Sequence, residues 1–185
     1  MSARRLGVGG AVVQGAWVPG DVEVTDGVIT ACGLPASGSG LAVPALVDLQ
    51  VNGYGGADFD EADEDGCGVA LAALARDGVL HVQPTLITDD PQNTVRQLGV
   101  LGRVPARAPG RATVLGVHAE GPFINPAHRG VHRAEFVRAP DRSVLGAFVA
   151  AGPLRTITVA PELDGALPLI SDAVRRWPVA TSRSS

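Results

Sequence analysis

The sequence contains no lysine; all 15 of its positive side chains are arginine. Against 19 Asp and Glu this leaves a formal charge of −4, so the chain lacks the basic footprint of a nucleic-acid-binding surface. With 24 glycines, an all-arginine complement reports a GC-rich coding sequence rather than a function. No apolar run approaches the roughly 18 residues of a membrane span. The N-terminal MSARRLGVGG has no apolar core of the secretory kind, so no signal peptide is expected. Only two cysteines are present, Cys32 and Cys67, at a spacing that fits neither a metal clip nor a redox pair. Two buried, unbridged thiols are expected. What is present is a 45% apolar, 18% charged chain of 185 residues. That is enough for one domain with a real core, or one domain and a small partner.

Residues 6–31 read as short strands punctuated by glycine. In DVEVTDGVIT, Asp26-Gly27 sits between two apolar runs, a hairpin signal. PASGSG, 35–40, is a turn or linker, and a small β domain is expected over residues 1–42. From Val43 the grammar changes. VPALVDLQVNG, VLHVQPTLIT, ATVLGVHAEG and LRTITVAPE read as buried strands, and PVA could start a fifth. Between them lie helical segments: 63–78 stopped by Gly78, DDPQNTVRQLGVLGRV with Asp90 as N-cap and Pro91 at its first position, APDRSVLGAFVAAG capped near Asp141, and GALPLISDAVRRW. Apolar strands alternating with helices predict an α/β fold with a parallel sheet over 43–185.

Polar residues recur where these strands end: Asp48, Gln50 and Asn52; Gln83 and Thr85; His118 and Glu120; Glu162. In parallel α/β folds the carboxyl ends of the strands form the functional face. Glu120 is the sharpest of them. A carboxylate at the tip of a buried strand is costly unless paired, hydrogen-bonded or metal-bound. Its residues leave three readings open: a metal ligand, a solvated glutamate, or a partner of Arg129 or Arg133. His132 lies in an irregular loop and reads as a surface histidine. His118 shares the face of Glu120 and reads as a supporting or core residue, His81 as a core histidine, His128 as solvated.

The run HAEGPFINPAHRGVHRAEF, 118–136, resembles the signature of the N-acetylglucosamine-6-phosphate deacetylases of the amidohydrolase superfamily. VDLQVNGYGGADF at 47–59, PTLIT at 84–88 and ITVAPE at 157–162 are similar to further blocks of that family, in the same order, and the likeness extends to about Val179. The resemblance implies a (β/α)8 barrel, here incomplete with its first four to five strands, preceded by a small β-sandwich segment. It implies hydrolysis of the acetamide of N-acetylglucosamine 6-phosphate, one divalent metal ion (zinc or similar), a cytoplasmic location and, for a full-length member, a homodimer. It makes Glu120 a metal ligand and Val131 with His132 the substrate-contacting pair. Gln50 and Asn52 occupy the place of the His-x-His that binds a second metal in other amidohydrolases, which resembles the single-metal branch and puts both near the site with His118. Ala45 replaces a usual glycine after Pro44.

The same resemblance implies two metal histidines and a general base that this sequence does not supply. The base is expected beyond Ser185. Where a Gly-His-Thr-like segment is due, the chain reads WPVATSRSS, and Thr181–Ser185 look unlike a strand terminus. A shifted reading frame is the expectation. The alternatives are a truncated product without turnover, and a fragment of another cyclic-amide amidohydrolase. The absent His-x-His and the Glu-Gly-Pro-Phe loop argue against the latter.

Overall fold

The computed structural model describes residues 2–177 and 179–183. The chain divides into two compact units, Met1–Ala45 and Leu46–Ser185. The first is all β: β1 (Ala3–Arg5), β2 (Val8–Val13), β3 (Ala16–Pro19), β4 (Asp21–Thr25), β5 (Val28–Leu34) and β6 (Gly40–Ala42). They form two three-stranded sheets, ordered β1-β4-β5 and β3-β2-β6. Asp26 and Gly27 both take positive φ, 51° and 81°, and close the β4–β5 hairpin as the Asp-Gly pair predicts. Val8, Ala11 and Val22 make a small core. Asp21 organises this unit: its fully buried carboxylate accepts the N–H groups of Gly7, Val8 and Val22 and pairs with Arg5 at 3.2 Å. The Ser37 hydroxyl, with these N–H groups and Arg5, holds its pKa down to about 2 against the cost of burial. Both cysteines are free, but Cys32 is exposed rather than buried. It lies on β5, most of whose residues face solvent.

The second unit is built on β7 (Leu46–Val51), a small hairpin of β8 (Gly53–Tyr54) and β9 (Ala57–Asp58), α1 (Glu64–Arg76), β10 (Val79–Ile87), α2 (Pro91–Arg103), β11 (Thr113–Val114), β12 (Val117–Glu120), α3 (Arg142–Ala151), β13 (Leu154–Val159), α4 (Ala166–Arg176) and β14 (Ala180–Arg183). β11 and β12 are two pieces of one strand, so the unit is a half-barrel of five parallel strands. The helix starts follow local chemistry. Asp90 caps α2 through Gln92 N–H with Pro91 at its first turn, and Asp141 caps α3 through Ser143 and Val144 N–H. Leu71, Leu74, Leu98, Leu101, Leu145, Phe148 and Leu169 of the helices pack on Val82, Leu86, Val117, Ala119, Ile157 and Val159 of the strands. Thr181 and Ser182 do lie in a strand, paired with Ile157 and Thr158, contrary to the expectation for the tail. Two small residues suffice there because the backbone ladder with β13 carries the pairing. Ser184 and Ser185 lie outside the described residues.

Candidate functional site

Strand alternation sends one set of side chains toward the helices and the other to the opposite face of the sheet. On that opposite face the strands carry polar groups, and these join in chains. Thr156 donates to the side-chain oxygen of Gln83 at 2.9 Å. His118 bonds Thr85 through Nδ1 at 3.3 Å and Thr158 through Nε2 at 2.8 Å, and Thr158 meets Ser182 at 2.6 Å. Because the Thr85 hydroxyl donates to the Gln83 carbonyl, one assignment satisfies every partner: Nδ1–H of His118 donates to Thr85, and Thr158 donates to Nε2. Burial holds the His118 pKa below its ordinary value, against the pull of the nearby Glu120 charge. His118 is thus a neutral, internal strut beneath the site. His81, expected as a core histidine, is only half-buried. It stands near the other end of the sheet, at a larger groove of about 680 Å³ with Arg107 and Arg111, away from this chemistry.

At the carboxyl ends of the strands a pocket of about 530 Å³ is lined by Gln50, Glu120, Arg129, Val131, His132 and Thr158, among others. Glu120 ends β12. Its Oε1 accepts a hydrogen bond from the Gln50 amide at 2.9 Å, seventy residues earlier in the chain. His132 is buried, not a surface residue, and its Nε2 stands 3.8 Å from the same oxygen. Neither arginine pairs with Glu120: Arg129 donates to the His132 carbonyl, and Arg133 lies against Glu135 and over the Phe136 ring. His128 is exposed. Val131 is 87% exposed at the pocket mouth. Asn52 donates to the Thr85 carbonyl at 3.3 Å and so turns to the backbone of β10 instead of to Glu120.

The loop that carries His132 is tied down at several points. After the left-handed Gly121, Arg138 N–H reaches back to the Pro122 carbonyl, and Ala160 N–H donates to Phe123. Asn125 accepts from Ala127 N–H and donates to Glu162, three residues past β13. Short 3-10 turns at Pro126–His128 and Ala134–Phe136 fold the run over the mouth. Two pocket residues escape a sequence reading. Thr158 sits between the apolar Ile157 and Val159 within a strand, and Ser182 sits in a tail with no apolar pattern.

No family model matches the chain. The mouse N-acetylglucosamine-6-phosphate deacetylase is 40% identical over 136 residues, which is 69% of this chain and 32% of that protein. An N-acetylgalactosamine-6-phosphate deacetylase of Escherichia coli O157:H7 is 32% identical over 182 residues, 92% of this chain and 46% of the relative. Among solved structures, a variant N-acetyl-D-glucosamine-6-phosphate deacetylase from Mycobacterium smegmatis, in complex with N-acetyl-D-glucosamine-6-phosphate, superposes with a TM-score of 0.86 at 28% identity. It covers all of this chain and half of the other. In sequence and in fold, the chain is similar to the N-terminal part of the N-acetylglucosamine-6-phosphate deacetylases. It spans about half the length, or less, of the deacetylases it matches. Among the described residues no group of three His, Cys, Asp or Glu could hold a metal ion, and no helix is long and apolar enough to cross a membrane.

Proposed function

We propose that this chain carries the carboxylate and the substrate-facing histidine of a deacetylase acting on N-acetylglucosamine 6-phosphate. The reaction would release acetate and glucosamine 6-phosphate. The observation that carries the reading is the meeting of Glu120 and His132, 3.8 Å apart, in the pocket at the carboxyl ends of the strands. The deacetylase relatives support the choice of substrate, and the galactosamine relative makes the 4-epimer the natural competitor.

A divalent cation, zinc or similar, would take Glu120 as one ligand, because Oε2 accepts no hydrogen bond among the described residues and a carboxylate suits such an ion. The described residues supply no further ligand set and do not by themselves complete a metal shell. Such a cation, if bound there, would supply polarisation of the acetamide carbonyl and a more acidic water. The chain's own residues do the rest of what is legible here. Gln50 fixes the plane of the Glu120 carboxylate, and Asn52 and His118 hold the neighbouring strands. His132 offers a ring nitrogen to the acetamide or the sugar, and Val131 stands at the mouth. The lack of a second metal ligand among the described residues favours a companion reading for the 185 residues taken alone: substrate contact without turnover. The reading also carries a cytoplasmic location and, for the intact enzyme, a homodimer.

Acetate release from N-acetylglucosamine 6-phosphate tests the proposal. The assay is run on the 185-residue chain and on a chimera whose segment after Val179 comes from the Mycobacterium smegmatis enzyme. The chain alone should stay at background and the chimera should turn over. In the chimera, Glu120→Gln should lower turnover by at least about 100-fold, because cooperating catalytic groups act as a unit. His132→Ala should raise KM more than it lowers kcat. A folded chimera without activity, or activity indifferent to Glu120→Gln, would overturn the assignment.

A further inference from the structure

One buried residue touches both members of the Glu120–His132 pair, and the reading above gives it no task. Thr88, just past the end of β10, is 2% exposed. Its backbone N–H donates to Nδ1 of His132 at 3.3 Å. Its hydroxyl donates to the backbone carbonyl of Glu120 at 2.8 Å. We propose that Thr88 is the positioning residue of this site, holding His132 in one tautomer while it pins the backbone from which Glu120 projects. The inference rests on the reading of Glu120 and His132 as the substrate-facing pair, but its test needs no turnover.

The tautomer follows from donor and acceptor roles. A neutral imidazole carries one N–H, on either ring nitrogen. A backbone N–H can only donate, so the Nδ1 that meets Thr88 must be bare, and the proton sits on Nε2. That nitrogen is 3.8 Å from Glu120 Oε1, too far for a hydrogen bond. The Nε2–H is therefore free to donate to a third group in the pocket, such as a carbonyl oxygen. The opposite tautomer would set Nδ1–H against the Thr88 N–H, and a nitrogen lone pair toward the carboxylate. His132 so held is a hydrogen-bond donor to the ligand.

The hydroxyl makes the arrangement rigid. Gly121, immediately after Glu120, has φ of +99°, and a Cβ there would meet the Thr88 hydroxyl at 2.0 Å. The missing side chain is what lets that hydroxyl reach the Glu120 carbonyl. Through this bond the end of β10 and the end of β12 are locked together, and the N–H of Thr88 stays aimed at the ring forty-four residues on. Serine at position 88 can keep the bond; valine, of the same shape, cannot.

The experiment is a long-range 1H–15N correlation of the imidazoles in the histidine-labelled 185-residue chain at about pH 8.5, where an ordinary histidine is neutral. His132 is assigned by its disappearance in His132→Gln. The wild-type chain and Thr88→Ser should show the Nε2–H pattern alone for His132. Thr88→Val and Gly121→Ala should each split that pattern into both tautomers. The inference is overturned if wild-type His132 carries its proton on Nδ1 or averages between the two nitrogens. It is also overturned if a folded Thr88→Val leaves the pattern unchanged. Should Thr88→Val fail to fold, the wild-type and Thr88→Ser spectra decide. Absence of acetate release would leave the tautomer standing, whereas a reversed tautomer would remove Thr88's role and leave the functional reading intact.

Discussion

Asp60 lies beside this machinery without entering the pocket. Its carboxylate accepts the N–H of Ile87, the residue before Thr88, at 3.1 Å. Burial pushes its pKa up to about 7 in spite of that N–H, and the charges of Asp58, Asp89 and Glu61 push the same way. The folded chain therefore holds a proton on Asp60 that the unfolded chain gives up near the ordinary value of 3.8. The associated stability is fully present below that value and is lost as pH rises through about 7. Asp60→Asn keeps an oxygen for Ile87 and has no proton to lose. Its stabilising effect should be near zero at about pH 4, grow across the window and level off above it. There it should reach roughly 1–2 kcal/mol once solvent screening of a partly exposed group is allowed for. Urea unfolding at several pH values measures this, and an effect of the same size at every pH would show that Asp60 is ionised in both states.

Among the elements, those that were legible rest on signals within a few residues. Asp90-Pro91, Asp141 and Asp26-Gly27 announce a helix start, another helix start and a hairpin, and each does so in the structure. The first four parallel strands follow from apolar runs set between helices, whereas β14, with the sequence ATSR, carries no such run. What stayed hidden are contacts between distant elements. Glu120 stands out in the sequence because a carboxylate ends an apolar strand, but nothing near His132 says that its loop buries it against Thr88. Gln97 is a further case: it is a polar residue of α2, yet it is 2% exposed. Its amide donates to the carbonyls of Phe59 and Ala62 at 2.7 and 3.0 Å, stapling α2 to the turn before α1. Gln97→Leu keeps the volume but strands both carbonyls, and should cost about 2 kcal/mol or more at one to three per buried unsatisfied group. Chemical denaturation reads it. A cost under about 0.5 kcal/mol, the range of a neutral surface change, would mean that water replaces the amide.

Across the second unit, one consequence of the architecture falls on its outer strands. Among the described residues β7 pairs with no strand but β10, so its other edge has no neighbouring strand. On the same strand Leu46, Val47 and Leu49 are 59%, 54% and 57% exposed, where the inner strands bury theirs between helices and neighbours. Among the described residues β14 likewise pairs on one side, with β13. A flat, apolar free edge is a template for another strand, and water leaves such a surface readily. Two effects therefore act together on the 185-residue chain: backbone pairing at the edges and apolar contact along β7. The chain should elute in size-exclusion chromatography as a concentration-dependent mixture larger than its 18.8 kDa mass. Leu49→Lys should shift it toward monomer, since a lysine on an edge must be desolvated before another strand can pair there. Both effects belong to the edge and not to the pocket, so Glu120→Gln should leave the elution unchanged. A sharp monomer peak at every concentration, with cooperative thermal unfolding, would show that β7 is covered in solution by some rearrangement of the chain, and the half-barrel would then not be its resting form.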